Sequence, residues 1–335
     1  MDVFTVVAAA LNLLAVPLAA WVAGALYFDL GGGGRRGQAL AAAWMVAAGV
    51  AWWQWPRRLW PLACLWAACG GIVVWWLRLR PSHDRRWHPN YALLPIARLQ
   101  GDELAIDNVR NVDFRAPDDY VTRFENRVYR LSDLRGADLA LCYWGSWWMC
   151  HPLMIFDFGP AGALCFSIEV RYRRGQSYRF LASLYRQQEL MYVICDPRDA
   201  LLRRTRDPAS EACYLYRLQL RPETVREMLL EYVHEAQRIA AEPRWYHGLA
   251  ANCTTSVYWQ RQGKIHWDWR FLVNGWLDRA LYERAILDPR LPFAELKARS
   301  RIDEIANAAP RADFYRSLHE ALDRQAGAPT GSAGR

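Results

Sequence analysis

One of the eight cysteines stands where a thiol can be made into a nucleophile. Cys253 follows Asn252, a good helix-capping residue, and the spacing predicts a helix from Cys253 to about Gln262, ended by Gly263. The free N–H groups and positive dipole end of a helix stabilise a thiolate, so Cys253 is expected to have a lowered pKa. The backbone N–H groups of Asn252 to Thr254 would then form an oxyanion hole beside the sulfur. The competing reading is a small buried thiol in a helix first turn. No two cysteines have CxxC spacing, so zinc and thioredoxin-like chemistry lack support and no cofactor is called for.

A thiol nucleophile needs a base, and His151 is the best candidate, at the start of a strand that follows Gly145-Ser146-Trp147-Trp148-Met149-Cys150. The alternative is a core histidine tied to a carbonyl. Successive strand side chains point to opposite faces, so Cys150 is a poor partner for its neighbour His151. Residues 151 to 158 and 163 to 172 flank Gly159-Pro160-Ala161-Gly162, a β-hairpin signature. The hairpin brings Glu169, Val170 or Arg171 back beside His151. Glu169 is therefore a candidate to orient the imidazole, with an ion pair to Arg171 as its alternative role. His83 and His88 lie beside Arg85 and Arg86 with no third ligand at metal spacing, which reads as a solvated linker.

The elements that must position these groups follow from patterning. Leu190 to Cys195, closed by Asp196-Pro197, and Tyr214 to Leu220 read as further strands, so a mainly antiparallel sheet is expected. Pro222 to Ala241 places Val225, Met228, Leu229, Tyr232, Ala236 and Ile239 on one stripe of an amphipathic helix. Later helices are predicted around Phe271 to Leu287 and Phe293 to Ala308, and a disordered tail over 326–335. Ahead of these, Val3 to Phe28, Ala39 to Trp55 and Leu59 to Leu77 carry no charged side chain, which predicts about three membrane spans, the second marginal. Tryptophans gather at the ends of the second and third spans, where indoles favour the interface. The domains expected are thus 1–80 as anchor and 81–325 as a soluble α+β catalytic domain. In 335 residues with a net charge of +8, all but two of the basic residues are Arg, which reflects composition rather than a nucleic-acid partner. Arg pairs in the loops pull the topology both ways; oligomeric state is not legible.

The ordered set Trp144-Gly145-Ser146 to His151-Pro152-Leu153, Ser167-Ile168-Glu169-Val170-Arg171, Asp199 with Arg204-Thr205, Tyr246, and Asn252-Cys253-Thr254-Thr255 resembles the domain of Lnb-type bacterial lipoprotein N-acyltransferases. The likeness extends through Phe271 to about Leu318. The order His then Cys is also similar to permuted papain-like folds of the NlpC and lecithin:retinol acyltransferase type, where Asn-Cys opens a helix packed on a small antiparallel sheet. The resemblance implies Cys253 as nucleophile and His151 as base, with Asn252, Thr254, Tyr246 and Arg171 in support. It departs from the pattern in its three-span anchor and in His247 beside the aromatic position. The expectation is a thiol acyltransferase anchored in the bacterial inner membrane and facing the periplasm, passing an acyl group from a phospholipid or lipoprotein through Cys253 to an amine. A hydrolase with the same dyad, acting on cell-wall or lipid amide and ester bonds, and a membrane-tethered binding module with an inactive site are the alternatives.

Overall fold

The fold is that of a computed structural model describing residues 3–54, 60–114, 119–206, 210–260 and 266–327. The chain forms two compact units. The first comprises the described residues up to His83 together with Ser177–Glu189 and Trp245–Gly248. The helices α1 (Val3–Ala25), α2 (Arg35–Gln54) and α3 (Trp60–Leu77) pack through small and aliphatic side chains, among them Val22, Ala48, Ala51 and Leu65. The turn between α1 and α2 is tight enough that a Cβ on Gly37 would lie 2.4 Å from the Tyr27 carbonyl oxygen. Two stretches, Leu13–Leu30 and Trp60–Arg78, are long and apolar enough to cross a membrane. The second helix packs on both but is not among them, because Arg35, Arg36 and Gln38 open it. In the same unit Asp29 accepts from Trp76 Nε1 at 2.8 Å and from Gln187 Nε2 at 2.6 Å. Tyr185 fills the notch left by Gly24, and the 177–189 segment is thereby held to the helices.

The second unit is α+β. Its sheet has eight strands among the described residues, in the order β1 (Ile96–Gln100), β2 (Glu103–Arg110), β9 (Glu189–Cys195), β8 (Ala163–Arg171), β7 (Cys150–Asp157), β6 (Gly136–Trp144) and β10 (Ser210–Arg217), with β5 (Phe124–Arg130) also on β2. A two-stranded ribbon, β3 (Asp113–Phe114) with β4 (Tyr120–Val121), stands apart. The sheet is larger than expected and mixed, since β2 and β9 run parallel where Arg110 pairs with Cys195. The central strands are buried on both faces, which explains their near-continuous apolar runs.

Helices cover both faces. Helix α5 (Pro222–Ala241) forms as its stripe predicts and lays Tyr232 against Phe156, Phe166 and Tyr192. The other face, with Cys142, Leu153, Cys165 and Val193, is covered by α4 (Pro197–Thr205), α9 (Asp303–Ala308) and α10 (Phe314–Gly327). The helix α6 (Thr255–Gln260) is shorter than expected. The helix expected over Phe271 to Leu287 is two short 3₁₀ turns followed by α7 (Leu277–Glu283). The one expected over Phe293 to Ala308 is divided into α8 (Phe293–Arg299) and α9, because the edge of β10 captures the backbone between them through Leu215 N–H to Ser300 O and Ile302 N–H to Cys213 O. Of the expected disordered tail, Ala326 and Gly327 close α10, and 328–335 lie outside the described residues.

Candidate active site

The hairpin of β7 and β8 pairs Leu153 with Ser167 and Asp157 with Ala163, and Gly159 and Gly162 take the positive φ that its turn needs. Carried two residues further, this register sets Glu169 opposite His151, and alternation puts Ser167 on the same face. The side chains form a chain of hydrogen bonds there. His151 Nε2 lies 2.8 Å from Ser167 Oγ, Ser167 Oγ donates to Glu169 Oε1 at 2.6 Å, and Arg204 donates to the same oxygen at 3.0 Å. His151 and Glu169 are themselves 3.9 Å apart, so the serine mediates between them. Because the Ser167 proton goes to the carboxylate, Ser167 Oγ accepts from His151 Nε2–H, and the imidazole lone pair is on Nδ1.

Arg204 arrives on α4, which two buried contacts fix in place. Asp196 caps it by accepting from Arg198 N–H, and Asp199 on its first turn pairs with buried Arg110 of β2 at 2.9 Å while accepting from Val112 N–H. Arg171, by contrast, donates to the carbonyls of Tyr91 and Ala92 and stacks on Trp87, so Glu169 draws its countercharge from α4 and not from its strand neighbour.

Cys253 sits two residues ahead of α6. Asn252 caps the turn, its Oδ1 accepting from Thr254 N–H at 2.9 Å and Thr255 N–H at 2.8 Å, while its own N–H donates to Thr255 Oγ1. These bonds consume the Asn252 and Thr254 donors expected to form an oxyanion hole. The Thr254 hydroxyl lies 3.7 Å from Cys253 Sγ, and the Asn274 amide 3.9 Å from it. Asn274 is the clamp of this region. Its Nδ2 donates to Thr254 Oγ1 at 2.7 Å and to the Cys150 carbonyl at 2.8 Å, and its Oδ1 accepts from Cys150 N–H. Cys150 is buried, and its thiol is held well above the ordinary range by burial and by the nearby Cys253.

Burial sets the protonation of Cys253 and His151. Burial pushes the Cys253 thiol up to about 11, against the helix-start expectation, because a six-residue helix offers little field and desolvation penalises the thiolate. Burial and the Arg204 charge lower His151 to about 3. Glu169 is pushed upward by burial, yet Arg204, Arg110 and Arg203 hold it well below the carboxylate range. The resting pair at neutral pH is thus a thiol and a neutral imidazole, with an ionised Glu169 behind it. Arg204 and Glu169 act electrostatically on both Cys253 and His151, which places the two in one neighbourhood. No hydrogen bond joins them among the described residues.

Residues 120–265 match the family model described as the Lnb N-terminal periplasmic domain. Over this segment the chain is similar to the Lnb family. The Lnb segment contains His151, Ser167, Glu169, Arg204 and Cys253, and ends before Asn274. No curated protein and no solved structure matches the chain. Tyr246, quoted for the resemblance, is buried in the first unit, where its N–H donates to the Gln188 carbonyl. Ser167 was legible as the residue two before Glu169 on the same face; the roles of Arg204 and Asn274 had no local signal.

Proposed function

We propose that this protein is a membrane-anchored thiol acyltransferase whose Lnb domain faces the periplasm. The observation that carries the reading is the chain from His151 through Ser167 to Glu169 and Arg204, set within the Lnb segment that also presents Cys253. The order His then Cys, with the cysteine just before a helix, supports a permuted papain-like arrangement. His151 Nδ1 takes the thiol proton as Cys253 Sγ attacks the carbonyl carbon of an acyl ester. The new imidazolium is balanced by Glu169 through Ser167, and its proton passes to the departing alcohol as the C–O bond breaks. An amine then attacks the thioester, forming the amide and restoring the thiol. The donor is a phospholipid or a diacylated lipoprotein, and the acceptor a lipoprotein amino group. Two apolar helices hold the site beside its lipid, raising the effective concentration of acyl chains.

The test is mass spectrometry of lipoprotein amino termini from cells with the wild-type chain, with Cys253→Ser and with no copy. N-acylated termini present only with the wild type are expected. Unchanged acylation in Cys253→Ser at normal abundance excludes this mechanism, and released free acid in place of amide makes water the acceptor.

A further inference from the structure

A cavity of about 630 Å³ has Tyr143, Trp276 and Phe293 among its walls. It shares one turn with the site: Asn274 reaches Cys253, while Gly275 and Trp276 face the cavity. Two of its lining residues, Trp147 and Trp269, are exposed, and so are Trp148, Trp267 and Leu272 close to them in the chain. Trp147 is 66% exposed, Trp269 56%, Trp267 49%, Leu272 45% and Trp148 43%. They stand on two loops locked together by edge-on ring packing of Trp147 and Trp269 on Trp276 and by the Gly275 N–H bond to the Trp148 carbonyl. So large a group of exposed apolar side chains marks an interaction surface.

We propose that this rim docks on the headgroup layer of a phospholipid bilayer, so that the cavity opens into the lipid. Three observations select lipid as the partner. Four of these five exposed side chains are indoles, and an apolar ring with an N–H donor is the side chain that prefers the membrane interface. Asp278 is neutralised under Lys297 at 2.7 Å, leaving Arg270, Arg279 and Arg284 over Asp268 and Glu283 at the rim, a positive excess that suits anionic headgroups. The chain also carries its own apolar helices, so a bilayer is always within reach. This deepens the acyltransferase reading, for which it supplies the route of the acyl chain, yet the contact itself needs no turnover.

The experiment uses the full chain in nanodiscs of phosphatidylethanolamine and phosphatidylglycerol doped with a phospholipid bearing a diazirine near the acyl carbonyl. After illumination, lipid adducts are mapped by peptide mass spectrometry. Adducts are expected on the peptides containing residues 144–148 and 266–276, falling at least fivefold there in Trp147→Ser/Trp269→Ser while adducts on α1 and α3 stay constant. Cys253→Ser should keep the adducts in full, which separates this proposal from the catalytic one. Adducts confined to the first unit overturn it, as does a single protein cross-linked to this rim in intact membranes.

Discussion

At the residue scale Cys253 and His151 are both neutral at rest, and that has a measurable signature. With its pKa pushed up to about 11, Cys253 is ionised at pH 7 in roughly one molecule in ten thousand, so on the proposed mechanism the sulfur loses its proton as it attacks. The alkylation rate of Cys253 by iodoacetamide is expected to climb through pH 10 with no plateau near the ordinary thiol value. In His151→Ala the rate should fall by roughly 10² at pH 7, where the base is needed, and rejoin the wild type above pH 11, where it is not. A rate already at its plateau at pH 7 would show a thiolate–imidazolium pair instead. Cys150→Ala should stay close to wild type in turnover, because Asn274 binds the backbone of residue 150 and those bonds survive.

At the scale of elements, two strands and one turn hold His151, Ser167 and Glu169 and tie them to the Cys253 loop. The hairpin places His151, Ser167 and Glu169, and the 274–276 turn ties that hairpin to the Cys253 loop through Asn274. The turn fits only because residue 275 lacks a side chain: a Cβ there would lie 2.4 Å from the Trp147 carbonyl oxygen and 2.5 Å from the Trp148 backbone. Neither backbone can yield cheaply. Gly275→Ala is therefore expected to lift Asn274 off Cys150 and Thr254, leaving buried polar groups unpaired at a cost of about 1–3 kcal/mol each. Turnover should drop at least tenfold, with faster proteolysis around residues 144–149. Wild-type activity and proteolysis in that variant would show that the clamp is not required.

For the whole molecule, sidedness decides which substrates are met. α1 and α3 end together, since Trp76 bonds Asp29, and α2 returns along α1 after a four-residue turn between Leu30 and Arg35. If all three cross, an amino terminus in the cytoplasm puts the residues after the third helix outside. The Arg35, Arg36 and Arg78 to Arg86 charges then lie on the outer side, beside its anionic headgroups. A reporter fused after Arg335 in a Gram-negative host is expected to give active alkaline phosphatase and dark green fluorescent protein. The reverse pattern removes exported lipoproteins from the list of substrates.

The sequence by itself determined what local physics controls. Hydropathy marked the apolar helices, glycines at 159 and 162 marked the hairpin and so the meeting of His151 with Glu169, the stripe on 222–241 marked α5, and Asn252 marked a cap. Strand β6 left little trace, because a strand buried on both faces shows no alternation. Tertiary structure decided the rest. Arg204 balances Glu169 because α4 crosses the sheet face, Asn274 clamps Cys150 to Thr254 across more than a hundred residues, and burial rather than a helix dipole sets the protonation of Cys253 and His151. A thiol's pKa depends on the water removed around it, and only packing of distant segments removes that water.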